Sequence, residues 1–337
     1  MRQRARVTLC VGLVGAAVVG GLAVSAGRVQ ADDPNSAPNP YHVVDNWAQL
    51  PAGRVWGQAI GVEIDRDGTS VWIYDRCGGK TCEGSNVAPI QKFDASGRLV
   101  VAFGSGLIDW PHGLGVDGDG NVWVTDGKAS DGKGQTAIKF SPDGRVLMTL
   151  GKAGVAGDAP GMLNGPSDVV VAPNGDIFVA DGHGEGTNDR IAKFSKDGQF
   201  IKAWGRHGAA PGEFNVPHGL AMDSAGRLFV ADRSNNRVQI FDQDGNFLAE
   251  WKQFGRPSSV YIRDDVLYVA DSQSSDKVNA PFRQGIRIGS VKDGNVTAFI
   301  AAPAPDFQMP EGVAADKTGN VFGGFTDNPA VRKYVKD

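Results

Sequence analysis

His112, His218 and Glu311 occupy one recurring place in the sequence. Two imidazoles and a carboxylate are a donor set that zinc takes in sites keeping one position open for substrate. The recurrence is a strand pattern that begins QAIGVEID, PHGLGVD, PSDVVVA, PHGLAMD, PSSVYIR and PEGVAAD. Its opening slot holds Ile60, His112, Ser167, His218, Ser258 and Glu311 in turn. If the copies close into a six-membered ring, the ligand types of copies two, four and six stand about 120° apart and converge on the axis. Ser at the slot of copies three and five shows that the repeat does not itself demand His. The competing reading is that PHGL is framework, with each His bonded to a neighbouring copy.

Three further groups belong near that point. Arg76 and Arg233 each follow an Asp that ends a second strand, and His183 follows another by two residues in the loop DGHGEGTND. Two readings of the arginines stand: surface pairing with an acid, of small energetic consequence, or a clamp on a substrate carboxylate, which suits the planar guanidinium fork. His183 is either an exposed loop residue or a general acid/base beside the metal. His42 and His207 read as surface residues. Manganese or iron would suit the set His112, His218 and Glu311 as well as zinc does.

The elements that must position these groups repeat every 40 to 55 residues. Each copy reads as four short strands between Gly, Asp and Asn turns. The second strand ends in Asp in five copies (Asp75, Asp126, Asp181, Asp232 and Asp271), and such repetition argues for turn hydrogen bonding rather than chemistry. The fold expected is all-β, a six-bladed β-propeller over 41–337. The last copy lacks a fourth strand, which the N-terminal segment 41–50 can supply, closing the ring and covering two edges. Antiparallel order then places the slot and the residues after strand two at one mouth.

The first residues are basic, an apolar run follows over Val7–Val24, and VQA ends at Ala31. Residues 1–31 read as a secretory signal, with an uncleaved anchor as the other reading. A secreted or periplasmic protein is expected, with 32–40 a disordered Pro/Asn linker. Removing residues 1–31 leaves 30 basic against 38 acidic side chains, a formal charge of −8. That balance gives no basic patch for nucleic acid or an anionic membrane. Cys77 and Cys82, in CGGKTC, are expected to form a disulfide in an exported chain; two thiols alone do not complete a zinc site.

The copies resemble NHL repeats across Arg54 to Lys336. The order WPHGLGVD…VWVTD, VADGH…RIAKF, PGEFNVPHGLAMD…VADRSNNRVQIF and QMPEGVAAD is similar to the peptidyl-α-hydroxyglycine α-amidating lyases. The resemblance implies a six-bladed propeller holding zinc through three His, two of which match His112 and His218. The third falls on Glu311. It places the family's arginines on Arg76 and Arg233, a methionine near the metal on Met309, its catalytic tyrosine on His183 and the adjacent cysteine on Gly184. It also implies a structural calcium bound by backbone oxygens of Val62 and Leu114 and by an Asp that is Gly312 here.

Three functions follow as expectations. The first is a metal-dependent lyase that cleaves a C-terminal α-hydroxyglycine to a peptide amide and glyoxylate, with Arg76 and Arg233 on the carboxylate and His183 taking the hydroxyl proton. The second is a metal-dependent lactonase or esterase on the same propeller. The third is a non-catalytic binding scaffold. The enzymatic readings expect a monomer acting on a small molecule or peptide that bears a carboxylate.

Overall fold

The computed structural model describes residues 33–302, 309–326 and 330–337. The signal segment 1–31 and Cys10 lie outside the described residues. From Asp33 onward the chain forms six four-stranded antiparallel sheets, each ordered 1-2-3-4 outward from the axis. The first strands are Ala59–Ile64, Pro111–Val116, Pro166–Val171, Pro217–Met222, Pro257–Arg263 and Pro310–Ala315. Blade six is completed by Tyr41–Val44, which pairs with Val331–Lys336 in register Tyr41↔Lys336 to Val44↔Lys333. The N-terminal strand thus closes the ring. Among the described residues the helical content is one 3-10 turn, Arg233–Asn235.

Second strands such as VWVTD (Val122–Asp126) and LFVAD (Leu228–Asp232) are buried at every position, because both sheet faces meet neighbouring blades. Fourth strands such as FLAEW (Phe247–Trp251) are exposed or half-buried throughout. Trp72, Tyr74, Phe103 and Phe140 fill the space between blades one and two. Each such side chain contributes roughly 1.5–3 kcal/mol by leaving water.

The strand-two Asp residues are blade staples, as their repetition suggests. Asp126 accepts from the backbone N–H of Asp109 and Trp110. Asp232 accepts from Asn215 N–H and from buried Arg237 at 2.7 Å. Each ties the end of strand two to the loop entering strand one of the same blade.

Of the linker expected over 32–40, the described residues 33–40 are docked rather than free. Asn35 donates to Pro281 O and accepts from Arg283 N–H and Arg287, and Pro38 O accepts from Phe299 N–H. These contacts seat it on blade five. A Pro-rich stretch looks structureless because it has no periodicity, yet it docks here through side-chain and carbonyl bonds.

Cys77 and Cys82 are bonded, as expected, and the disulfide closes a loop directly after Arg76. Loop-closure entropy gives such a short ring about 2 kcal/mol of stabilisation. Chemical denaturation of Cys77→Ser/Cys82→Ser should show a loss of that size, with the far-UV spectrum unchanged.

Candidate metal centre and substrate pocket

In every blade a β-bulge falls at the slot: the ladder skips between Pro111 and Leu114, between Pro217 and Leu220, and between Pro310 and Gly312. A bulge turns one side chain away from the alternating pattern. All six slot residues therefore line one axial cavity of about 30 Å³, room for one ion or water. Glycine follows the His slots for a steric reason. A Cβ on Gly113 would lie 2.6 Å from Ser167 O, and one on Gly219 would lie 2.7 Å from Ser258 O.

Those carbonyls orient the imidazoles. His112 Nδ1 lies 2.6 Å from Ser167 O, and His218 Nδ1 lies 2.7 Å from Ser258 O. A carbonyl only accepts, so each Nδ1 carries the proton and each Nε2 turns its lone pair to the axis. This is the usual way in which a metal-binding His is held by its outer partner. His112 Nε2 is buried without any hydrogen-bond partner.

His183 comes to the same point from its loop, held by its backbone N–H on Gly165 O. Ring centroids are 4.5 Å apart for His112–His183 and His112–His218, and 5.0 Å for His183–His218. One donor atom from each lies within 4.8 Å of the others, so the three could hold a metal ion. This grouping differs from the expected His112, His218 and Glu311. Glu311 Oε1 instead lies 3.2 Å from His218 Nε2 and 3.5 Å from Arg233 Nη1. The guanidinium draws the carboxylate to one side, while the glycines flanking His183 let its loop bring the ring over the axis. The set fits zinc: three nitrogen donors within 4.8 Å of one another, one of them orphaned.

Arg233 and Arg76 flank the cluster. Arg233 Nη1 donates to His218 Nε2 at 2.7 Å, Nη2 lies 3.5 Å from His183 Nε2, and Nε is buried without a partner. Arg76 is bound by Gln58 Oε1 at 2.5 Å and Pro111 O at 3.2 Å. No carboxylate lies within 4.0 Å of Arg76 among the described residues. Trp110, which motif reading passed over, stacks on His112 at 5.0 Å, meets His183 edge-on at 4.9 Å and lies under the Arg76 guanidinium at 4.2 Å. Its one sequence signal is its place directly before the Pro-His slot of blade two. Met309 directly precedes the first strand of blade six, with its carbonyl accepting from Thr326 N–H. His42 and His207 are at the surface, paired with Asp337 and Asp189.

Burial pushes all three imidazoles below the ordinary histidine value; the Arg233 charge adds to this at His183 and His218, and neighbouring rings add to it at His112 and His183. Burial also lowers Arg76, to about 10, and lowers Arg233, with Glu311 opposing both. Burial alone would raise Glu311, but His218 and Arg233 outweigh it and hold the carboxyl well below its usual range. The pocket therefore sets two guanidinium cations and the Glu311 carboxylate beside imidazoles that burial shifts toward the neutral form. In ring NMR of metal-free protein, the His112 and His183 imidazoles should stay neutral at pH 6, where an ordinary histidine is largely protonated. The sign for stability follows. The unfolded chain binds these protons first, so the three rings contribute a loss of stability as pH falls below about 6.5.

The expected calcium site does not fit. Val62 and Leu114 do line the axis, but Gly312 brings no carboxylate. Of the buried carboxylates nearby, Glu63 is pushed up to about 8 and Asp168 to about 7 by burial, and Asp168 already accepts from Val169 N–H at 2.9 Å, Leu220 N–H at 2.8 Å and Leu114 N–H. Calcium takes six to eight oxygen ligands, which these residues do not offer.

The sequence profile of the NHL repeat matches residues 214–241. NHL repeat-containing protein 3 of Homo sapiens is 34% identical over 88% of this chain and 84% of its own length. Peptidyl-glycine alpha-amidating monooxygenase A of Xenopus laevis is 33% identical over 85% of this chain, which spans only 32% of that protein. Peptidyl-alpha-hydroxyglycine alpha-amidating lyase 1 of Drosophila melanogaster is 36% identical over 38% of this chain and 24% of its own length. In fold, the chain is similar to a gluconolactonase from Xanthomonas campestris (TM-score 0.56, 16% identity, 88% of this chain and 94% of that one).

Proposed function

The chain belongs to the NHL-repeat propeller family, and from that premise we propose that it is a metal-dependent carbon–nitrogen lyase acting on peptides that end in α-hydroxyglycine. The products are a peptide amide and glyoxylate. Support comes from two amidating relatives and, above all, from one observation: three imidazoles, two guanidiniums and one carboxylate converge at the axial mouth.

The residues act as follows. His112, His183 and His218 would hold a divalent ion, which would supply Lewis acidity toward a substrate oxygen. Arg233, with its free Nε, and Arg76, with no acidic partner among the described residues, bind and orient the glycine carboxylate. Glu311 takes the hydroxyl proton, because its carboxylate stands at the axial mouth beside His218 and Arg233. The O–H electron pair becomes the second C–O bond of glyoxylate. The C–N pair leaves with the amide nitrogen, which gains one proton. Trp110 fixes the His112 and His183 rings and covers one side of the pocket from water. The expected roles of His183 and Glu311 are thereby exchanged. Export guided by residues 1–31 is part of the same reading, and the Cys77–Cys82 bond supports it.

The test is glyoxylate release from N-acylated peptides ending in α-hydroxyglycine, run beside a panel of lactones and esters. Chelator-sensitive glyoxylate release is expected. Turnover of lactones or esters alone would replace the lyase reading by the hydrolase one, and no turnover of any of them would leave the scaffold reading.

A further inference from the structure

Arg233 sits on a short turn between two blades. It opens a single 3-10 turn, Arg233–Asn235, which lacks a side-chain cap at Asp232 and ends at Asn236 in the left-handed conformation (φ 55). Its inner side is tied to its own blade: the backbone N–H groups of Arg233 and Ser234 donate to Val216 O and Asn215 O, and Asn235 Nδ2 donates to Gly208 O and Asp232 Oδ2. Its outer side, at Ser234 and Asn236, is held by side-chain contacts from the next blade.

A second arginine, from the neighbouring blade, spans that turn. Arg256 lies in the loop entering blade five, with its backbone N–H on Asp271. Its Nη2 donates to Ser234 Oγ at 3.0 Å and its Nη1 to Asn236 Oδ1 at 3.0 Å, one on each side of the turn. Its Nε donates to Gln273 Oε1 at 2.9 Å, which fixes the fork to blade five. All three side-chain acceptors are neutral, and no carboxylate lies within 4.0 Å of the guanidinium among the described residues. The cation is thus placed beside Arg233, with Asp271 as its countercharge but no direct ion pair among the described residues.

We propose that Arg256 is a positioning residue for the substrate carboxylate: it locks the 233–236 turn so that Arg233 is aimed into the pocket. The inference rests on the reading above that Arg233 binds that carboxylate. A lysine cannot replace Arg256, because a point charge cannot bridge Ser234, Asn236 and Gln273 at once. The excess of positive charge also selects for an anionic substrate end, since Glu311 is the one carboxylate shared near Arg233.

Glyoxylate, used as a carboxylate probe, tests this by calorimetry on the metal-loaded full chain. The proteins are wild type, Arg256→Gln, Arg256→Lys, Arg233→Gln and the double variant Arg256→Gln/Arg233→Gln. Arg256→Gln should weaken glyoxylate binding about tenfold, in the range for removing an outer partner of a site. Its metal content should stay at the wild-type level, its KM should rise and its kcat should change little. Arg256→Lys should not recover the affinity. In the Arg233→Gln background the Arg256 change should have no further effect, which general loosening of the fold would not produce. Glyoxylate affinity unchanged in Arg256→Gln, or an equal loss with and without Arg233, overturns the proposal. Failure of the wild type to bind glyoxylate overturns both this and the carboxylate-site reading. Binding without turnover overturns only the lyase activity.

Discussion

His218→Ala should remove the bound metal and, with it, on the order of 10³-fold or more of turnover, the scale set by losing one member of a catalytic unit. His218 is the most connected group of the pocket. Its Nδ1 is fixed by Ser258 O, and its Nε2 meets both Arg233 and Glu311. Its ring also packs against His112 and His183. Without it, Arg233 and Glu311 face each other directly, and a salt bridge replaces the site. The blades should survive, because Pro217 and Leu220 keep their ladder partners Asp232 and Val230 on either side of the bulge. Metal content and thermal unfolding measured on the same sample separate the two effects: metal lost, cooperative unfolding kept.

The second large effect is expected at Arg233. Arg233→Ala should lower kcat/KM by about 10² to 10³, as for loss of a desolvated charge contact to the reacting group. Arg233→Lys should recover little of it. The pH profile carries a separate signature. Arg233 is one of the groups holding the Glu311 carboxyl below its usual range. Removing that cation raises the Glu311 value, so the ionised base is lost at a higher pH than in wild type. The acid limb of kcat/KM should therefore move upward in the variant. An acid limb at the wild-type position would show that Glu311 is not the titrating group.

How much of this was readable in the chain depends on the physics behind each feature. The ring is legible because six blades restate one pattern, and the missing last strand points to 41–50 as its completion. His112 and His218 are legible because they break a slot that Ser167 and Ser258 show to be free. The bulge that aims the slot residues is not legible, since one extra residue leaves no mark in a pattern of alternating side chains. Nor is the role of Ser167 and Ser258, which act through their carbonyls rather than their side chains. His183 and Glu311 are both in view as site residues, but their division of labour is set by Arg233, a contact between blades three, four and six. Trp110 and Arg256 escape for the same reason: each belongs to a loop, and its meaning lies in the neighbouring blade.

The central claim is an ion on the propeller axis held by three imidazoles. Elemental analysis of purified wild type, His183→Ala and Glu311→Ala, prepared side by side, tests it most directly. The account predicts one divalent metal per chain in wild type, its loss in His183→Ala and its retention in Glu311→Ala. A metal-free wild type, or metal kept by His183→Ala and lost by Glu311→Ala, would contradict it.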